Sequence, residues 1–320
     1  MDQDDHQLLL PLVEEENICL PLPINVVSRY WNIELPMAEA IESAKKYSDF
    51  NGSIIIEGIE LAERHGLLCK IVHSSLIELK KIINSGIPPI VILPGIPEIT
   101  QHASVITGYN EDEKTILHYI QKGNLEGEQQ EGAIPQDIFD REWSEDGRIM
   151  IIISPPDILS KISLENDFHD KSNRLCFDSE KLNILQNSTD AVLSLKKSIE
   201  LDSNNSVALR LYGTMLNQQN LPECISFYEK SLKINPRSYL TFNGLGNFYL
   251  KTNQFEKAEN SYTKAIEINP KRSAKIYKNR AYIREKLNKN SDAKEDLKSY
   301  LKYFPKAPDR GIIEQAIREI

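Results

Sequence analysis

Three prolines in the last third of the chain, Pro236, Pro270 and Pro305, stand 34 and 35 residues apart, and the residues between them keep one register. A small residue precedes each proline (Cys224, Ala258, Ala293), with a larger apolar one four positions on (Tyr228, Tyr262, Leu297). Gly213, Gly246 and Ala281 supply small side chains where two helices must approach. A period of this length specifies stacked helix-turn-helix units, each burying its apolar face on the next. The reading predicts an all-α solenoid over residues 189–320. Such stacks usually bind rather than catalyse, so any chemistry is left to the part that does not repeat.

Charge divides the chain in the same way. The whole carries a net −9, but residues 1–157 hold 27 acidic and 11 basic side chains (net −16), and residues 158–320 hold 20 acidic and 27 basic (net +7). An acidic first half argues against a nucleic-acid surface, and mildly basic repeats suit an acidic ligand. The four cysteines, Cys19, Cys69, Cys176 and Cys224, lack metal-type spacing. No apolar run approaches the roughly 20 residues that span a bilayer. The opening MDQDDHQLLL is acidic where a secretory signal is basic. These features predict a reduced, cytoplasmic protein with no membrane or nucleic-acid partner, no cofactor and no metal.

Residues 239–270 carry Phe242, Leu245, Gly246, Tyr249, Ala258, Tyr262, Ala265 and Pro270, and this pattern resembles the tetratricopeptide repeat. Residues 206–236 and 274–305 are further copies, the last with Arg280 and Arg284 where apolar residues are usual. Ala191, Leu195 and Ser198 form a partial copy upstream, and residues 308–320 suit a capping helix. The resemblance implies a concave groove, lined by the first helix of each pair, that holds a protein or peptide. Its positions here include Arg210, Asn243, Asn247 and Lys278, with an acidic C-terminal segment as one candidate ligand. Thr214 and Tyr282 depart from that clamp.

The first half mixes periods. Residues 22–31 and 54–65 read as helices, and Ser74–Asn84 as a third, with Ser75 as N-cap and Glu78 three positions later. Pro89–Leu93, Ala103–Tyr109, Thr115–Tyr119 and Arg148–Ser154 are β-branched runs between turn residues. Helices followed by an antiparallel sheet predict an α+β domain over residues 1–157. Residues 158–188 form a connector, open to helix. His65, His73 and His169 sit in polar surroundings and read as exposed, and Cys69 reads as core.

Four segments carry a second resemblance: CLPLPINVVSRYW, ELKKIINSGIPPIVIL, HASVITGYNED and FDREWSEDGRIMIIISPP. Together they are similar to the bacteriocin-processing (double-glycine) peptidases, papain-like cysteine peptidases, over residues 10–157. Bacterial members also join such a domain to tetratricopeptide repeats. The resemblance implies that Cys19 attacks and His102 serves as base and acid. A helix start stabilises thiolate, and an imidazole in reach completes the activation. It also implies an oxyanion donor six residues before the cysteine, where this chain has Val13 followed by Glu14, Glu15 and Glu16. Asn17 or Gln7 could substitute. The third member falls at Tyr119, with His118 and Asn124 nearby, and Leu20 replaces a glycine, crowding the approach to Cys19. The residues fit a thiol hydrolase acting on a peptide or isopeptide bond, with repeats that hold its protein partner. They also fit an inactive relative serving as an interaction scaffold.

Overall fold

A computed structural model of the chain describes residues 5–10, 20–46, 54–94, 101–119, 131–162 and 167–320. The chain divides into two compact units, one ending at Asn205 and the other beginning at Ser206.

In chain order the first unit contains β1 (Asp5–Gln7), α1 (Pro21–Tyr30), α2 (Met37–Lys45), α3 (Ile55–Arg64), β2 (Leu68–His73) and α4 (Leu76–Asn84). Next come β3 (Ile90–Pro94), β4 (Gln101–Asn110), β5 (Thr115–Tyr119), β6 (Glu131–Pro135), α5 (Gln136–Glu145), β7 (Ile149–Ser154) and α6 (Pro156–Leu159). The unit closes with α7 (Asp167–Ile184) and α8 (Ser188–Leu201). The strands form one sheet in the order β2-β7-β3-β4-β5-β6, with β1 added to β4. The pairs β1–β4, β2–β7, β3–β7, β4–β5 and β5–β6 are antiparallel. Helices do not simply precede the sheet, as the sequence suggested. β1 comes before α1, β2 lies between α3 and α4, and α5 interrupts the later strands.

The core lies between the sheet and helices α4 and α5. Met150 and Ile152 of β7, Val91, Ile106 and Ile116 pack with Leu79, Ile82 and Ile83 of α4 and with Phe139 and Trp143 of α5. Phe139 and Trp143 are four apart and so share a helix face. The Trp143 indole N–H donates to the Ile149 carbonyl at 2.9 Å, so the largest buried ring leaves no orphan donor. α4 begins where Ser75 accepts from the Glu78 N–H at 3.2 Å, the cap its sequence announced. α1 is buried from Pro21 through Ser28, hydrophobic nearly all round. It approaches α3 closely because residue 58 is glycine: a Cβ there would lie 2.6 Å from Ile24 and 2.8 Å from Leu20.

β2 is an edge strand, and α7 covers that edge with polar side chains. Asp170 accepts from the Ile71 N–H at 2.8 Å, Asn173 donates to the Ile71 carbonyl at 2.8 Å, and Arg174 donates to the Cys69 carbonyl. Together they supply the partners that a further strand would have supplied. Behind them Ser172, Ser198 and Asn205 form a buried hydrogen-bonded cluster joining α7 to α8.

The second unit comprises α9 (Ser206–Gln218), α10 (Cys224–Ile234), α11 (Tyr239–Lys251), α12 (Phe255–Ile268), α13 (Ala274–Lys286), α14 (Asn290–Tyr303) and α15 (Arg310–Glu319). The helices pair as α9/α10, α11/α12 and α13/α14. Ala258, Tyr262, Ala265, Ala281, Ala293 and Leu297, read from the sequence as packing positions, are buried in one cluster. At Gly246 any side chain would collide with the Tyr262 ring, so the glycine sets how closely α11 and α12 approach. Each pair turns at an asparagine with positive φ: Asn220 (58°), Asn253 (56°) and Asn288 (59°). Gln186, at 60° between α7 and α8, stands 34 residues before Asn220. The α7/α8 hairpin therefore keeps the same register, with Ala191, Leu195 and Ser198 buried, and the sequence had shown only its second helix.

Candidate functional site

In the first unit the candidates separate into those that can be placed and those that cannot. Cys19, Asn17 and Asn124 lie outside the described residues, as do Val13 and Glu14 to Glu16. His102 is half-buried near the start of β4, and burial holds its imidazole below the usual histidine range. His118, also half-buried, sits on the paired strand β5, where burial first and the neighbouring His102 second depress it in the same direction. Its Nδ1 lies 3.2 Å from the hydroxyl of Ser104, a buried residue the sequence reading passed over. The hairpin thus brings together a serine and two imidazoles whose protonated forms burial disfavours. Tyr119, one residue further, alternates to the other face of β5 and packs on Leu22 and Val26 of α1. Gln7 is exposed on β1, opposite Gly108.

Two sequence expectations change here. Leu20, read as crowding the approach to Cys19, has its side chain 2% exposed in the core against Gly58. The missing side chain at 58 makes room for the extra one at 20. His65, His73 and His169 are also not exposed. His65 lies 3.0 Å from Glu39 and His169 2.7 Å from Asp202. The His73 Nδ1 donates to the Gly147 carbonyl at 2.7 Å, and Asn205 lies beside the ring. Burial pushes its pKa down. Cys69 is buried, and desolvation raises its thiol well above the ordinary value.

In the repeats, Arg210 of α9 and Asn243 and Asn247 of α11 are half-buried, and Lys278 of α13 is exposed. Lys278 pairs with Asp309, and Asn247 accepts from the Tyr262 hydroxyl at 2.7 Å. Arg280 and Arg284, which break the apolar pattern, serve the joint between repeats. Arg280 forks onto Asp296 at 2.6 and 2.9 Å and donates to Thr263 of α12 at 2.9 Å. Arg284 reaches both Asp296 and Glu259 of α12. The first helices of the pairs, α9, α11 and α13, carry seven basic residues and one acid, Glu285. The second helices, α10, α12 and α14, carry seven of each sign. The positive excess of the solenoid's helix pairs therefore sits on one set of helices. Among the described residues no three His, Cys, Asp or Glu side chains cluster as metal ligands, and no helix is long and apolar enough to cross a membrane.

Comparison with known proteins agrees on the repeats. Residues 239–272 match the tetratricopeptide repeat family, so the helical solenoid contains that repeat, and the chain also has an antiparallel sheet unit. The chain is 26% identical over 175 residues to the cell division cycle protein 27 homolog of Caenorhabditis elegans, covering 51% of this chain and 22% of that protein. It is 29% identical over 103 residues to anaphase-promoting complex subunit 3 of Schizosaccharomyces pombe, covering 32% and 15%. The chain thus spans about a fifth or less of the length of these curated relatives. Among solved structures, pilF of Pseudomonas aeruginosa aligns with a TM-score of 0.42 at 16% identity, covering 48% of this chain and 69% of that one. A double-glycine motif protease from an AMS/PCAT transporter, bound to its leader peptide, aligns with a TM-score of 0.36 at 19% identity, covering 48% and 99%.

Proposed function

We propose that the protein is an interaction scaffold whose helical repeats hold an acidic, extended segment of a protein partner along α9, α11 and α13. The charge asymmetry carries this reading. Had the excess only served solubility, it would spread over both sets of helices, yet it falls on the set that lines the groove in tetratricopeptide arrays. Arg280, Arg284 and Lys278 are matched by Asp296, Glu259 and Asp309. Arg210, Lys251, Lys275 and Lys286 face no acid in an ion pair among the described residues, and they give the groove its field. Isothermal titration of the whole protein with acidic peptides tests the reading. Heat that saturates and shrinks as salt rises supports it, and the absence of heat from a diverse acidic panel removes it.

A second reading, hydrolysis by a thiol, is favoured by His102. His102, a half-buried imidazole, is the candidate base for Cys19, the candidate nucleophile of a papain-like first unit; burial disfavours the protonated ring, so the imidazolium would depend on the thiolate as its counter-ion. Both readings suit a reducing interior, given that Cys69 and Cys224 are buried thiols. Iodoacetamide at pH 6 separates them. A thiolate activated by His102 is labelled at Cys19, and the label is lost in Cys19→Ala and His102→Ala. Equal labelling of wild type and Cys19→Ala removes the hydrolase.

A further inference from the structure

The covered edge of β2 holds a cluster of titratable groups that belongs to neither candidate site. His73, the last residue of β2, donates from its ring Nδ1 to the Gly147 carbonyl at 2.7 Å. A carbonyl only accepts, so the neutral ring carries its proton on Nδ1, and Nε2 is the nitrogen left to take a second one. That Nε2 is cut off from solvent, and Asn205 lies beside the ring. Asn205 ends the turn that follows α8, and its side-chain amide is bonded to Ser172 and Asn173 of α7 at 3.0 and 2.8 Å. Asn173 in turn holds the Ile71 carbonyl, two residues before His73. The turn, α7 and the β2 edge therefore form one hydrogen-bonded assembly, with His73 inside it.

Two ionisable groups act on the ring. Asp202, in the same turn, has 5% of its side chain exposed. Its Oδ2 accepts from His169 Nδ1 at 2.7 Å, and its Oδ1 accepts from the Asn204 N–H at 2.9 Å. Asp202 favours a charged His73, and His169 of α7, once protonated, opposes it. On β7 the residue opposite His73 is the apolar Ile149. Asp170 of α7 is held by the Ile71 N–H and Arg174. Asp146 and Arg148 flank Gly147, and Arg148 is bound to Asp140. Burial outweighs the pull of Asp202, so the His73 pKa lies below the usual histidine value. Acid thus sets two imidazolium rings against one carboxylate in a dry seam.

We propose that this cluster is an acid-sensitive clasp: while His73 is uncharged, the turn Asp202–Asn205 and α7 stay closed over the β2 edge, and protonation of His73 releases them. The released edge exposes the Ile71 N–H and carbonyl that Asp170 and Asn173 cover in the closed state.

Hydrogen exchange of the full chain, followed residue by residue by NMR at pH 7 and pH 5 and corrected for the intrinsic change in rate, reads the release. A ring that stays uncharged in the closed seam at pH 5, and titrates near the usual value of about 6.5 once open, makes opening about 25-fold easier at pH 5 than at pH 7. Protection of the Ile71, Asn204 and Asn205 amides should therefore fall together by up to that factor, to a level well below that of Ile106, which is bonded to Pro89. The loss should vanish in His73→Gln. Unchanged protection at pH 5 overturns the clasp, as does the same loss in His73→Gln. One protection level shared by all four amides at pH 5 also overturns it, because the unit would then be opening as a whole. Titration of the His73 ring in the wild-type chain needs no variant: a midpoint below 6.5 is expected, and one at or above 6.5 overturns the proposal.

Discussion

Asp296→Ala should destabilise the second unit more than any exposed charge deletion, and the structure sets the scale. Asp296 has 3% of its side chain exposed, and both oxygens are engaged. Arg280 Nη2 donates to Oδ1 at 2.6 Å, while Arg280 Nε and Arg284 Nη1 donate to Oδ2 at 2.9 and 3.0 Å. Truncation removes the anion and strands the Arg280 guanidinium, 9% exposed, between the Thr263 hydroxyl and the face of the Tyr277 ring, with no carboxylate to balance it. Arg284 keeps Glu259. Breaking a buried pair from one side costs about 3–5 kcal/mol, because the surviving charge stays desolvated. That is a large share of the roughly 5–15 kcal/mol that holds a domain together. Exposed pairs such as Lys298–Glu295 are worth only about 0–1 kcal/mol. The assay is urea unfolding of the full chain, with hydrogen exchange of α13 and α14 followed by mass spectrometry to locate the loss. The double variant Arg280→Leu with Asp296→Leu should recover most of the stability, since two apolar side chains leave no orphan charge in the seam. A cost below about 1 kcal/mol for Asp296→Ala would refute the argument, as would a double variant no better than the single one.

The other perturbations act on the first unit. Asp170→Ala removes the acceptor of the Ile71 N–H, so exchange of that amide should accelerate while amides in the centre of β7 stay protected. Asn173→Ala leaves the Ile71 carbonyl unpaired on a buried edge and should cost about 1–3 kcal/mol in denaturant unfolding. Because burial lowers the pKa of His73, His102 and His118 in the folded state, the unfolded chain takes up protons first as pH falls below about 6.5. Stability should therefore drop between about pH 7 and 5, and His73→Gln should flatten that slope. Gly58→Val should destabilise the α1–α3 contact, with Leu20→Ala partly compensating, since Leu20 and Ile24 fill the space where the new side chain would go.

Much of the fold could be read where one local rule dominated. Ser75 announced α4, the β-branched runs at 103–109 and 148–154 fall within β4 and on β7, and the 34-residue register placed the buried alanines and tyrosines. The reading was weaker where a buried face is polar. α7 presents Asp170, Asn173 and Arg174 to β2, so a search for apolar periodicity left its residues as a connector. α13 likewise buries Arg280 in an ion network at a place the pattern reserves for hydrocarbon. Leu20 misled for another reason. Its meaning depends on Gly58, 38 positions away, and no local pattern connects the two. At the candidate sites, a short hairpin turn after the His102 strand was enough to bring His118 near it. Ser104 and the Tyr262–Asn247 bond depend on side-chain geometry that spacing does not encode.

The scaffold reading meets its most direct test in an array of acidic, neutral and basic ten-residue peptides, probed with the whole wild-type protein and with the Arg210→Glu, Lys275→Glu variant. Binding confined to acidic peptides, weakened by salt and lost in the variant, is the predicted result. A wild-type protein that prefers basic peptides, or a variant that binds as the wild type does, would contradict it.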